Sequence, residues 1–339
     1  MESESDRWTE ALSQYFTEKN WELVNVSGGL NNLTKLIKTP INTYVMRIYQ
    51  NGYGIEKIQY ECETLNKLQT LKFSFQTPKI FKTLKGEDYA HTESGLQAIM
   101  FYFIDGIPPD ENLAAHTKEF GRVSGELIAG WKDLKIEQVS PTFPYHKIYK
   151  IIPAVPDQET LLKAMADPVF SDVESIVNFL REEILQLEGA VNVYHTTLPQ
   201  QNFHGDLWIG NCLIKDDKIT AILDFEFASI DWRALEVAIC VSRYPSSADP
   251  WTGFANYLSG FKGNCGLNEE EVKAIPSLMK LRILTNIIHF IGRWLEGLDS
   301  VDDLKNRFRT YFKRISWINE NSHAIVKICR DNIMENKSQ

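Results

Sequence analysis

From Phe203 to Asp231 the chain reads FHGDLWIGNCLIKDDKITAILDFEFASID, and this stretch restricts the fold more than any other. NCLI and ITAILDF are short apolar runs of β-forming residues, and KDDK between them supplies a charged turn. That pattern predicts a β-hairpin. Closing the hairpin folds Asp224 back beside Asn211 and the loop that carries Asp206. Two carboxylates and a carboxamide then converge on one point. All three are hard oxygen donors or proton acceptors. Such a set suits Mg²⁺, which takes one or two carboxylates and leaves positions for phosphate oxygens.

The rest of the chain has two textures. A short amphipathic helix is expected over residues 8–18. WELVNV, LTKLIKT and TYVMRIYQ then read as three strands, separated by SGGLNN and by a turn at Pro40-Ile41-Asn42. A helix is predicted over 55–70 from the spacing of Ile58, Cys62, Leu65 and Leu68. Further strands fit at 79–84 and 97–103, and FIDGIPP ends the β-rich part. Beyond Pro109 the pattern is helical. A helix at 116–130 carries Gly121 and Gly125, four apart, which would let a neighbour pack closely. Another at 172–187 is expected to open with Ser171 and Glu174 as a capping box. The reading is an α+β protein, with a small mostly-β part over 1–104 and a larger mostly helical part over 105–339.

Bulk properties narrow the function. With 36 basic against 45 acidic residues the net charge is -9. That disfavours nucleic acid, whose phosphates need a basic face, and is compatible with a cationic substrate. The five cysteines form no CxxC pair, which argues against a disulfide framework and a Cys-rich zinc site. Reduced thiols and an N-terminus without an apolar run lead us to expect a cytoplasmic protein. LMKLRILTNIIHFIGRWLEG is apolar and helix-length, but it carries Lys280, Arg282, His289 and Arg293. It reads as a buried helix and not a membrane span.

An Asp, an Asn five positions on and a second Asp resemble the protein-kinase catalytic loop and its metal-binding Asp. HGDLWIGN and LDFEFA replace the kinase motifs. Together with SGGLNNLTKLIKTPINTYVMRIY they make residues 20–245 resemble the aminoglycoside phosphotransferase/choline kinase superfamily, most closely its homoserine-kinase-like members. The resemblance implies a protein-kinase-like two-lobe fold, ATP and Mg²⁺ as cofactors, and phosphorylation of a hydroxyl on a small molecule. A homoserine-like amino alcohol comes first. Choline or ethanolamine, an aminoglycoside and a methylthioribose-type sugar are alternatives. A non-catalytic nucleotide-binding scaffold is the alternative of another class.

Carried over residue by residue, the resemblance makes Asp206 the catalytic base and Asn211 and Asp224 the magnesium ligands, with His204 supporting the loop. Ser27, Gly28, Gly29 and Asn31 form a turn whose backbone can approach phosphate oxygens. Arg47 takes the place of the kinase lysine. Glu61 is its expected partner by the family pattern, and Glu63 is the competitor, some 200° around the same helix. The backbones of Tyr102 and Ile104 would meet the purine edge, with Val45, Met100 and Leu223 as apolar walls. For the acceptor the candidates are Trp208, Glu226, Asp231 and Arg293. Asp231 could instead cap the helix near Arg233, and Arg293 could instead pair with a structural Asp. His289 reads as a core histidine, and residues 143–160 as an irregular wall of the pocket.

Overall fold

The computed structural model describes residues 4–26, 32–49, 54–132 and 134–335. In the small lobe, α1 (Glu4–Ser13) is followed by β1 (Glu22–Asn25), β2 (Asn32–Lys38) and β3 (Thr43–Tyr49). Then come α2 (Ile55–Leu68), β4 (Ile80–Phe81), β5 (Ala90–His91) and β6 (Gln97–Tyr102). The strands form one antiparallel sheet in the order β1-β2-β3-β6-β4, with β5 added on β6. Ser27, Gly28, Gly29 and Asn31 lie outside the described residues.

Alternation along the strands decides what each face does. Tyr44, Met46 and Ile48 of β3, with Ala98 and Met100 of β6, bury against Trp8, Ala11, Leu12 and Tyr15. The odd-numbered partners Val45, Arg47, Ile99 and Phe101 therefore face the other way, toward α2 and the large lobe. Met100 accordingly belongs to the core beneath α1 and cannot wall a purine; a register of one residue separates it from the cleft.

The large lobe holds α3 (Ala114–Gly130), α4 (Ile148–Ile151), α5 (Gln158–Met165), α6 (Glu174–Val191) and α7 (Tyr194–Thr197). It continues with β7 (Gln200–Phe203), β8 (Cys212–Lys215), β9 (Lys218–Ile222), β10 (Ser229–Trp232), α8 (Arg233–Val241) and α9 (Pro250–Phe261). Two long helices, α10 (Glu269–Leu295) and α11 (Val301–Ile333), complete it. Gly121 lets α9 approach α3 so closely that a Cβ there would sit 1.9 Å from the Tyr257 carbonyl oxygen. α10 is a core helix, with Ile283, Leu284, Ile287, Ile288 and Ile291 buried.

Two local expectations differ. α6 has no Ser171/Glu174 capping box, because Asp167-Pro168 starts a 3-10 turn over Pro168–Val173 first. Asp167 accepts the Val169 N–H at 2.9 Å, and Pro168 at the first turn position has no N–H to leave unpaired. Residues 143–160 are also less irregular than expected. They contain α4 and the start of α5, which Asp157 caps by accepting the Thr160 N–H at 2.8 Å.

Backbone bonds tie the lobes to the β8–β9 hairpin. Gln76 donates to Thr220 O at 2.8 Å and accepts from Ile222 at 3.0 Å. Ile107 donates to Ile214 O at 3.3 Å and accepts from Ile214 at 2.8 Å.

Candidate active site

The hairpin forms as the sequence predicts, and it sets the site. β8 and β9 pair with Cys212 opposite Ile222. One step further the Leu223 N–H donates to Asn211 O at 2.7 Å, so Asn211 and Asp224 stand at the same end of the ribbon. Asp224 then turns left-handed, at φ 69° and ψ 61°. This conformation is uncommon for a residue with a Cβ, and such residues cluster at functional sites. It swings the carboxylate across to the small lobe, where Oδ1 accepts from Arg47 at 2.9 Å.

The Asp206 loop is fastened from beneath. Gly205 has a φ of +79°, and a Cβ there would meet the Phe227 carbonyl oxygen at 2.5 Å, so only glycine fits. His204 is fully buried. Its Nε2 donates to Leu223 O at 2.9 Å, and its Nδ1 accepts the Asp206 N–H at 3.3 Å. One neutral ring thus locks the Asp206 loop to the segment preceding Asp224, and burial holds its pKa below the usual histidine range. Asn211 Nδ2 donates to Asp206 O at 3.0 Å. Glu236 of α8, buried beneath, accepts the His204 backbone N–H. Burial raises its carboxyl to about 8.

Across the cleft, Arg47 donates to Glu61 at 3.1 Å, and Glu61 also accepts from the Tyr49 hydroxyl at 2.6 Å. Glu63 instead accepts the N–H groups of Glu137 and Gln138. Glu61 is therefore the partner. Burial raises its carboxyl above the usual range, while Arg47 pulls the other way. Glu226 lies 3.8 Å from Arg47 and accepts from Asn32 Nδ2.

The donor chemistry fits a divalent cation. Glu61, Asp224 and Glu226 outnumber Arg47 and the nearby Lys57, leaving negative charge to be neutralised. Among the described residues, Asn211 Oδ1 and the second Asp224 oxygen accept no hydrogen bond.

Beside Asp206 opens a cleft of about 560 Å³. Its floor includes Trp208, and its walls come from α10 and α11. Asp206 Oδ1 accepts from Arg282, which also donates to the Tyr145 hydroxyl at 2.7 Å. Burial lifts that hydroxyl to about 12. Arg243 stacks over Trp208, 3.7 Å from the ring centre, and Arg307 lies 3.5 Å over Phe290. Arg314 donates through Nε to Ser246 Oγ at 2.9 Å. His289 also lines the cleft. Burial, reinforced by Arg293 and Arg282, drives it down to about 4, so it is neutral near pH 7.

Several acceptor candidates stand elsewhere. Arg293 makes two 2.9 Å bonds to Asp299 and does not line the cleft. It shares a helical stripe with Arg282 and His289, but lies past the end of the cavity. Asp231 is 1% exposed and spent on the Tyr145 and Trp232 N–H groups, both at 2.7 Å. It neither reaches the cleft nor caps the first turn of α8. Glu226 faces Arg47 and does not line the cleft. Tyr102 donates its N–H to Lys79 O at 3.0 Å, and no hydrogen bond to the backbone of Ile104 occurs among the described residues. Trp208 alone of the four acceptor candidates is in the cleft. Arg282, Arg243, Arg307 and Arg314 were not singled out for it. Arg243 follows the end of α8 and has no such signal. For the other three the signal was polar spacing: 282, 286, 289 on α10 and 303, 307, 310, 314 on α11 each make one face of a helix.

Residues 22–262 match the model of the family described as "Phosphotransferase enzyme family". The chain belongs to that family. It is a small-molecule phosphotransferase with a hydroxyl acceptor, for which ATP and a divalent metal are implied. A homoserine kinase of Nitrobacter winogradskyi is 24% identical over 283 residues, 80% of this chain and 81% of the relative. The microcompartment-associated aminopropanol kinase superimposes with a TM-score of 0.68 at 14% identity, covering 95% and 98% of the two chains. Amicoumacin kinase hAmiN, in complex with AMP-PNP, Ca²⁺ and amicoumacin, gives 0.69 at 14%, covering 94% of each. The protein-kinase-like fold follows from these likenesses.

Proposed function

We propose that this phosphotransferase moves the γ-phosphoryl group of ATP, with Mg²⁺, onto the hydroxyl of a homoserine-like amino alcohol. The observation that carries the reading is the position of Asp206. Its carboxylate borders the acceptor cleft, while Asn211, bonded to the same loop, and Asp224 stand at the ribbon end facing Arg47. Asn211 and Asp224 would hold Mg²⁺, which would supply positive charge to offset that of the phosphates. Arg47, oriented by Glu61, binds phosphate oxygens through its forked N–H groups. Asp206 accepts the hydroxyl proton, and Arg282 fixes its carboxylate toward the cleft. The choice of homoserine is supported by the curated homoserine kinases among the relatives.

The test is transfer of labelled phosphate from ATP to homoserine, choline, ethanolamine, 1-amino-2-propanol, an aminoglycoside and methylthioribose. Homoserine is expected to be labelled best. Asp206→Ala should lower turnover by about 10²–10⁴ while Mg·ATP binding persists. Full turnover by that variant, or transfer to none of the acceptors, refutes the reading.

A further inference from the structure

Two features of the acceptor cleft are not explained by a hydroxyl and its base alone. First, its lining holds four arginines, Arg243, Arg282, Arg307 and Arg314, against two carboxylates, Asp206 and Asp303. Asp206 is paired with Arg282, and Asp303 accepts from the Ser300 hydroxyl at 2.6 Å at the start of α11. Second, Arg243, Arg307 and Arg314 have no ion pair among the described residues. Each is held by a neutral group instead: the Trp208 ring, the Phe290 ring and the Ser246 hydroxyl.

Placing three unpaired guanidinium groups around one partly buried space is costly. Burial and the charge of Arg243 push Arg314 down to about 10, and burial likewise lowers Arg243. Arg307 Nε is buried with no hydrogen-bond acceptor. A flat ring or a hydroxyl fixes a guanidinium without neutralising it, so the charge stays available to a ligand. His289 adds no positive charge near pH 7, and none of the acids around Arg47 lines this cleft.

We propose that Arg243, Arg307 and Arg314 bind an anionic group of the acceptor, a carboxylate or a phosphate monoester, while its hydroxyl meets Asp206. The inference rests on the kinase reading and narrows its substrate class. Acceptors whose only charge is an ammonium, such as choline, ethanolamine and aminopropanol, would leave the three arginines unpaired. Homoserine qualifies through its carboxylate. The chain's overall charge of -9 therefore misleads about this surface, since the site itself is cationic.

The test compares acceptors sharing a primary hydroxyl. Homoserine and 4-hydroxybutanoate form the carboxylate arm, sn-glycerol 3-phosphate the phosphate arm, and choline and ethanolamine the cationic arm. Turnover is expected in one of the first two arms. Arg307→Gln and Arg314→Gln should each raise KM for that acceptor by about 10-fold or more, the scale of a charge-assisted hydrogen bond, with KM for ATP unchanged. Preferred use of choline or ethanolamine, or wild-type KM in both variants, overturns the proposal. A binding measurement separates it from the kinase reading. With Mg·ADP saturating, inorganic phosphate should raise the melting temperature of the wild type but not of the Arg307→Gln/Arg314→Gln double variant. If no acceptor is phosphorylated, the kinase reading fails and that shift still supports the anion site. Its absence refutes the anion site.

Discussion

Arg47→Met tests the cleft electrostatics most directly. Arg47 is 15% exposed at its side chain and holds Glu61, which is 2% exposed, at 3.1 Å. Methionine keeps the length and removes the charge. Among the described residues Glu61 then keeps the Tyr49 hydroxyl as its one side-chain donor, and Asp224 and Glu226 lose their shared cation. Breaking a buried pair from one side typically costs about 3–5 kcal/mol. Glu61→Gln removes the stranded charge, so on the Arg47→Met background it should restore about half of that loss or more. On the wild-type background the same change should destabilise. The deficit should also depend on pH, with a definite sign. Without Arg47 the Glu61 carboxyl, already raised by burial, rises further, while an unfolded glutamate titrates near about 4.3. The native variant then holds a proton that the unfolded chain releases. Its stability falls as pH increases above the unfolded value, by up to about 1.4 kcal/mol per pH unit. Urea midpoints of wild type, both single variants and the double variant, at about pH 5.5 and about pH 8, read all of this. An Arg47→Met midpoint equal to wild type, or a Glu61→Gln change that costs as much without Arg47 as with it, refutes the reasoning.

Arg282→Met should lower kcat by about 10–100-fold with KM for ATP unchanged, because it removes a charge-assisted bond to Asp206; steady-state kinetics decide, and an unchanged kcat sinks the positioning role. His289 is neutral in the fold and titrates there at about 4, with burial first and then Arg293, Arg282 and Arg307 lowering it and Asp299 opposing them. The unfolded chain therefore takes up the extra proton, and stability is lost as pH falls from about 6.5 toward about 4, by up to about 3 kcal/mol. His289→Asn should flatten that part of the melting-temperature profile; an unchanged profile contradicts the assignment. Gly121→Ala places a methyl against the Tyr257 carbonyl and should cost about 1–3 kcal/mol or more, read as a lower urea midpoint with normal turnover per folded molecule.

What was legible in the sequence was local. The β8–β9 ribbon carries its own signature of apolar strands and a charged turn, so the neighbourhood of Asn211 and Asp224 could be read from 14 consecutive residues. Arg47 was reached through the family resemblance; alternation along β3 then explains why it turns toward α2 and the large lobe. The acceptor walls were not. They come from α10 and α11, about 75–110 residues beyond Asp206 in the chain, and sequence spacing cannot say which stretch of a polar stripe borders a cavity. Arg282 and Arg293 are 11 residues apart and point the same way, yet one holds Asp206 and the other Asp299. Glu236 was overlooked although a lone acid in RALEVAICV is a signal in itself. A buried carboxyl group on an apolar helix needs hydrogen-bond partners, and the backbone N–H groups of the Asp206 loop supply them.

The two backbone bonds that Gln76 of the small lobe makes to the ribbon, beside the two that anchor Ile107 to it, constrain how the lobes can move. Any rocking that preserves them has its fulcrum on β8 and β9. Points near a fulcrum barely travel, and points far from it sweep widest. Asn211 and Asp224 sit at the ribbon's own end, so this pair would stay nearly still through any such rocking. The tip of the small-lobe sheet would make the large excursion, and the spacing between the two side chains would be kept.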